Sequence, residues 1–247
     1  MELEKKNILV LSVAQGLSVT TTNINMINTG LVGSILATDQ TYATLPLSLQ
    51  FLTIAITLIP VSLLMGKIGR RPMFLIGAMA AFIGCLIIAS AIIYKVFYLF
   101  ILGSILLGFS QANQQFYRYA AADNIKTKLK SKAISLVLAG GLIAAIVGPE
   151  VSRYSFDFFP DYVYLATYLC AAFIQILNFG ILIFIKIKKT KTIVNSGRGL
   201  NEILLRKTVI IAILSAAVGY SLMSFIMTAT PLQIVNVCKL GDSASAT

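Results

Sequence analysis

The fold is decided by residues 42–94, which read YATLPLSLQFLTIAITLIPVSLLMGKIGRRPMFLIGAMAAFIGCLIIASAIIY. Two apolar runs flank the short segment MGKIGRRP, and each is long enough for a helix that crosses a bilayer core. Gly66 and Gly69 permit a tight reversal in that segment. Pro72 suits the first turn of the next helix, because its missing N–H needs no partner there. The stretch therefore predicts two membrane-spanning helices joined by a short turn.

The same pattern continues along the whole chain of 247 residues. It is 57% hydrophobic and 12% charged, with a mean hydropathy of +0.87, so it has too few charges to coat the surface of a soluble protein. We expect an all-α integral membrane protein with seven spanning helices. They are predicted near 8–36, 42–65, 72–94, 97–118, 132–153, 162–186 and 207–230.

The net charge of +11 is distributed unevenly between the apolar stretches. Of the 20 Lys and Arg residues, 17 fall in alternate gaps, and the other gaps hold only Lys95, Arg153 and Lys239. Because positive loops stay inside the cell, we expect a multi-pass protein of the cytoplasmic membrane with its N-terminus in the cytoplasm. The basic residues then face the headgroups of the lipid bilayer. This distribution excludes nucleic acid as the partner.

A long polar segment divides the predicted helices into two groups. It contains KKTKTIVNSGRG and lies between the sixth and the seventh apolar stretch. We therefore expect a six-helix bundle over 1–187, a cytoplasmic linker over 188–206, and the first helix of an incomplete second bundle over 207–247.

Uncharged polar residues recur every three or four positions in four of the apolar stretches, which places them on one face of each helix. One such stripe would be explained by hydrogen bonds between neighbouring helices. Four stripes favour a polar cavity shared by the helices. Arg118 has two open interpretations, contact with an anion in the cavity or extension to the lipid headgroups. The candidates for the cavity are Gln15, Thr22, Asn25, Gln50, Gln111, Gln115 and Arg118.

Other residue types bear on coupling and on catalysis. Glu150 is a carboxylate within a helix pattern, so it is the candidate for proton coupling, with a solvated helix end as the alternative. The chain has no histidine, and its three cysteines lie far apart. We therefore expect no metal site, no disulfide, no cofactor and no enzymatic activity.

The turn between the second and third apolar stretches carries a family resemblance. Gly66, Lys67, Gly69, Arg70 and Arg71 resemble the loop G-x-x-x-D-R-x-G-R-R of the major facilitator superfamily, with Gly66 in place of its Asp. The resemblance implies a six-helix bundle of that superfamily's type, followed by the first helix of the second bundle. It also implies transport of a small molecule.

The fifth stretch carries a second resemblance. Gly148 and Pro149 are similar to the end of the superfamily motif G-x-x-x-G-P, with Ala144 in place of its first Gly. Pro149 removes a backbone donor, so we expect the helix to bend there. The segments QQFYRYAAAD, AISLVLAGGLIAAIVGPE and GYSLMSFIMTATPL resemble a bacterial branch of the superfamily, some of whose members are linked to riboflavin uptake. That resemblance implies a substrate similar to riboflavin.

Three classes of function are open to a chain of seven spanning helices. A seven-helix receptor or a light-driven pump is disfavoured, because the N-terminus is expected inside and the seventh stretch has no Lys for a retinal Schiff base. Secondary transport by alternating access, by a truncated or partial chain, is our main expectation. The alternative is a transport-incompetent fragment that acts as a membrane-embedded binding or assembly partner. In either case a second chain could supply the missing half.

Overall fold

The computed structural model describes residues 2–123, 125, 127–187 and 206–233. Within these ranges the chain is all-α and contains no strand, as the sequence predicts. The predicted linker falls, apart from Arg206, outside the described residues. The helices are α1 (Glu2–Leu36), α2 (Leu45–Ile68), α3 (Arg70–Tyr94), α4 (Phe97–Gln114), α5 (Tyr117–Ala122), α6 (Thr127–Ser155), α7 (Leu165–Ile183) and α8 (Lys207–Leu232).

One predicted helix is interrupted. The sequence predicts a single helix over 97–118, but α4 ends at Gln114 and α5 begins at Tyr117. The N–H of Phe116 donates to the carbonyl oxygen of Asn113 at 3.1 Å, a three-residue step that tightens the backbone between the two helices. Neither Gly nor Pro marks this break in the sequence.

The chain is a multi-pass membrane protein. Five spans among the described residues are long and apolar enough to cross a bilayer, namely Gln40–Ile68, Arg70–Tyr94, Leu129–Ser155, Leu165–Ile183 and Lys207–Ile226. The long helix α1 and the 18-residue α4 are not among them. Both carry the polar residues of the predicted stripes, and both place them inside the bundle, where other helices replace lipid as the neighbours.

Helix α1 occupies the centre of the bundle, where it packs mainly against α6 and α7 and also touches α2, α4 and α8. Two apolar clusters lie toward its two ends. One includes Leu11 and Phe74, and the other includes Ile24 and Phe100. Between them the helices carry amide and hydroxyl side chains that are almost fully buried. We call these buried polar side chains the polar layer, which begins between the two clusters and extends among the residues of the second, where Asn25 and Asn28 follow Ile24.

Small residues bring α1 and α6 together. A Cβ on Gly140 would lie 2.1 Å from the carbonyl oxygen of Ser12, and one on Gly148 would lie 2.8 Å from Cβ of Asn23. Asn23 Nδ2 also donates to the carbonyl oxygen of Ala144 at 3.0 Å. The four-residue spacing of Gly140, Ala144 and Gly148 therefore serves close helix packing. Helix α6 continues through Pro149 as far as Ser155.

Candidate functional site

The hydroxyl groups of the polar layer are satisfied largely within their own helix. On α1, the side-chain oxygen of Thr20 donates to the carbonyl of Gly16 at 2.9 Å, and Thr22 donates to Ser18 at 3.1 Å. Thr53 on α2 repeats this four-residue step with Leu49 at 2.8 Å. Such bonds allow a hydroxyl to sit in an apolar surrounding without a partner on another helix. The hydroxyls therefore do not by themselves define a binding site.

The amide side chains, in contrast, connect four helices. The hydroxyl of Tyr168 on α7 donates to Oδ1 of Asn25 on α1 at 3.1 Å. Asn25 Nδ2 donates to Oε1 of Gln50 on α2 at 2.6 Å, and Gln50 Nε2 donates to Oε1 of Gln111 on α4 at 3.0 Å. Tyr168, Asn25 and Gln50 are 0%, 1% and 3% exposed, whereas Gln111 is partly exposed. We call these four residues the amide chain.

A small cavity borders the amide chain. Its volume is about 10 Å³, which is room for about one water molecule. Thr22, Asn25, Gln50 and Gln111 contribute to its wall, and Gln175 closes it from α7. Four of the seven predicted cavity residues are thus brought together here.

Helix α7 adds polar residues that the sequence analysis did not single out. Asn178 Nδ2 donates to the hydroxyl of Ser18 at 2.9 Å and to Oε1 of Gln175 at 3.0 Å. Together with Tyr168 they attach α7 to α1. Their three-residue spacing in an otherwise apolar helix was the available signal, because buried amides in lipid need partners.

A larger groove lies between α2, the junction of α4 and α5, and α8. Its volume is about 840 Å³. The predicted residues Gln115 and Arg118 lie in its wall beside the rings of Phe51, Tyr119 and Tyr220. The Arg118 guanidinium carbon is 5.0 Å from the centre of the Tyr119 ring, in range of a cation–π contact. Its Nε is buried and has no hydrogen-bond partner among the described residues.

Two predicted residues lie apart from both places. Gln15 packs beside Gly141 of α6, and its Oε1 is buried without a hydrogen-bond partner in the described part of the chain. Glu150 is exposed near the end of α6, where its Oε1 lies 3.9 Å from Nη1 of Arg153. Glu150 also borders an apolar groove of about 620 Å³ between α6 and α7.

The turn between α2 and α3 is organised by a glycine and an ion pair. Gly69 has a φ of 100°, a backbone conformation that residues with a Cβ atom rarely adopt. Arg70 Nε lies 3.0 Å from Oδ2 of Asp123, and its Nη2 donates to Oδ1 at 3.1 Å. Burial raises the pKa of the Asp123 carboxyl, and the Arg70 charge opposes that rise. The Arg of the turn thus has a carboxylate partner at the end of α5, although Gly66 occupies the place of the motif's Asp.

The other basic residues of the turn are more exposed. Arg71 Nη2 donates to the carbonyl oxygen of Ile183 at 2.8 Å, which satisfies one group at the end of α7. Gly66 and Lys67 are exposed in the last turn of α2. Asp123 was not a candidate from the sequence, because its partner lies 53 residues earlier in the chain.

Comparison with known proteins places this bundle in a family. The sequence profile of the Major Facilitator Superfamily matches residues 10–243, which include the amide chain and the groove. This chain belongs to the major facilitator superfamily. Its resemblance in the α2–α3 turn is therefore a family feature.

A curated relative in the superfamily is the riboflavin transporter RfnT of Brucella anthropi. This chain is 34% identical to it over 235 residues, which cover 94% of this chain and 59% of the relative. The chain thus spans about three fifths of the length of the curated relative it matches.

Proposed function

We propose that this superfamily chain takes part in the transport of a small molecule across the cytoplasmic membrane by alternating access. In this proposal residues 1–187 form the first bundle, 188–206 the cytoplasmic linker and 207–247 the start of a second bundle. The charge asymmetry of the loops supports an N-terminus in the cytoplasm. The family match and the polar layer at mid-height of the bundle support a transport site between two bundles.

The observation that carries the proposal is the groove around Arg118. Its volume of about 840 Å³ is typical of a site for a small organic ligand. The Arg118 guanidinium group in the groove wall offers charged donors, and Gln115 offers a neutral amide. Phe51 and Tyr220, whose ring centres are 5.9 Å apart, offer aromatic surface. A planar ring system with polar edges, like that of riboflavin, fits this combination, and the 34% identity to a riboflavin transporter supports it.

Equilibrium binding of riboflavin to the purified chain in lipid nanodiscs tests the groove. Quenching of the flavin fluorescence reports binding. We expect Arg118→Ala to weaken binding about tenfold, since it removes a charged donor from a largely dry site. Arg153→Ala is the matched control, because Arg153 also lies over a neighbouring tyrosine ring, at 5.6 Å, but outside the groove. Equal loss in both variants would contradict the placement of the site, and no binding by the wild-type chain would contradict the substrate.

A second candidate function is that of a binding or assembly partner that does not transport by itself. Helix α8 favours it, because the part of α8 with described side chains is exposed almost throughout and offers Ile211, Leu214 and Phe225 to lipid or to another chain. We expect the 247-residue chain to show no saturable riboflavin uptake in liposomes when it is strictly monomeric. Saturable uptake by such a preparation would show that one copy suffices.

A further inference from the structure

The hydrogen bonds of the amide chain all run in the same direction. Tyr168 donates to Asn25, Asn25 donates to Gln50, and Gln50 donates to Gln111. A primary amide has one oxygen that accepts and one NH₂ group that donates. The Gln111 oxygen already accepts from Gln50 with one of its two lone pairs, so its NH₂ donor is the part of this amide that has no hydrogen-bond partner among the described residues.

The direction is maintained by burial. Asn25 and Gln50 are almost inaccessible to solvent. A reversed amide would leave a donor facing a donor on one side and an acceptor facing an acceptor on the other, and the small cavity has room for only about one water molecule to compensate. Reversal of one member therefore requires reversal of all of them, including the hydroxyl of Tyr168 at the far end. The direction in which the Tyr168 hydroxyl on α7 donates therefore determines the orientation of the Gln111 amide on α4.

Gln111 lies beside the groove along the helix, although it is not one of the residues that line the groove. It is partly exposed and lies one helical turn before Gln115, which is in the wall of the groove. Its neighbours toward the bundle centre are the amide chain and the cavity of about 10 Å³. Gln111 itself lines the small cavity, and the wall of the groove begins one helical turn further along, at Gln115.

We propose that Tyr168, Asn25 and Gln50 are positioning residues that present Gln111 as a hydrogen-bond donor to the substrate. The site then selects a ligand atom that accepts, such as a ring carbonyl or a ring nitrogen, and disfavours a ligand donor at that point. This inference rests on the proposed function, because it concerns the same ligand. It specifies that the protein donates and the ligand accepts at this point, which neither the family nor the relative's name indicates.

The first test compares two replacements of Gln111 in the riboflavin binding assay. Gln111→Met removes both the oxygen and the NH₂ group at similar size, and we expect it to weaken binding about three- to tenfold. Gln111→Glu keeps an oxygen that can accept from Gln50 but lacks the donor, so it should bind at least as weakly as Gln111→Met. Wild-type affinity in Gln111→Glu would mean that Gln111 serves as an acceptor, and the proposal would be overturned.

The second test asks whether Tyr168 acts through the amide chain. Tyr168→Phe removes only the first donor and should weaken riboflavin binding about three- to tenfold, while in a Gln111→Met background it should have no further effect. Thr167→Val is the control, because Thr167 is the residue before Tyr168 and is not part of the amide chain. This change removes the buried hydrogen bond of 2.9 Å that the Ser155 hydroxyl donates to Thr167. Equal losses of affinity in both backgrounds would assign Tyr168 a purely structural role.

The third test does not depend on any ligand. Hydrogen bonds link Tyr168 to Gln111 through Asn25 and Gln50, so their effects on thermal stability should couple if the direction is cooperative. We expect the loss of melting temperature in the Tyr168→Phe, Gln111→Met double variant to be clearly smaller than the sum of the two single losses. Additive losses would overturn the proposal even if riboflavin binds. Coupled losses without any binding of riboflavin by the wild-type chain would support the amide chain and contradict the substrate instead.

Discussion

The contact of α1 with α6 gives a sharp prediction for the change Gly140→Ala. A Cβ on Gly140 would lie 2.1 Å from the carbonyl oxygen of Ser12 and 2.8 Å from the carbon of that carbonyl. Favourable contacts of carbon are about 3.5–4.0 Å long, so the two helices would have to separate by more than about 1 Å. Both atoms belong to the backbone of Ser12, so no rotation of a side chain can relieve the overlap.

The expected loss of stability is the free-energy cost of this overlap minus the gain from the higher helix propensity of Ala. Overpacking of this kind costs about 1–3 kcal/mol. Replacement of Gly by Ala in a helix returns up to about 1 kcal/mol. Because both overlapping atoms are backbone, we take the upper part of that cost, about 2–3 kcal/mol, which leaves a net loss of about 1–2 kcal/mol. For a chain of this length it lowers the melting temperature by about 2–8 °C.

The neighbouring residue provides the matched control. A Cβ on Gly141 would lie 3.6 Å from Val19 Cγ2 and 3.9 Å from Gln15 Cγ, which are ordinary contacts. Gly141→Ala should therefore keep or raise the melting temperature, as measured by thermal unfolding of the purified chain in detergent. If Gly140→Ala is as stable as the wild type, or if both variants lose the same amount, the packing argument is wrong.

Three further predictions concern topology, pH and coupling. Single cysteines at Lys130 and Asp157, in a background without native cysteines, should be labelled from opposite sides of the membrane, and labelling of both from one side would end the topology. Burial raises the pKa of the Asp123 carboxyl above its usual 3.8, so the folded state holds this proton more tightly and stability falls as the pH rises just above 3.8. Asp123→Asn should remove that fall, and an unchanged pH profile of the melting temperature would count against it. If the complete protein transports riboflavin, as proposed, and Glu150 couples this transport to protons, Glu150→Gln should abolish the pH dependence of uptake by the complete protein. Persistence of that dependence would leave Glu150 as a helix-end residue.

The sequence predicted the helical architecture well because lipid imposes a simple constraint. Every backbone polar group in the bilayer needs a partner, and long apolar runs can satisfy this only as helices. The predicted stretches 42–65 and 72–94 accordingly match α2 and α3 closely. The break between Gln114 and Tyr117 was missed, since it depends on a local backbone bond rather than on a Gly or Pro.

The candidate site was predicted as a set of faces and not as a set of pairs. A helical period shows that Gln111 and Gln115 share a face, but it does not show that one joins the amide chain while the other borders the groove. The bonds of Asn25 to Gln50 and Tyr168 join residues 25 and 143 positions apart in the chain. Such pairs depend on how the helices pack, which no local pattern encodes.

The central position of α1 has a consequence for the synthesis of the protein and its insertion into the membrane. Helix α1 is not apolar enough to be one of the bilayer-crossing spans found in the described part of the chain. Its main neighbours are α6 and α7. Those helices begin at Thr127 and Leu165, whereas α1 ends at Leu36, so the ribosome makes them on the order of ten seconds after α1. Asn25 can meet Gln50 as soon as α2 is made, but until α6 and α7 follow it lacks Tyr168, and Asn28 lacks Ser152. Substitutions at Asn25 or Asn28 should therefore alter the efficiency of membrane insertion as well as the stability of the finished bundle.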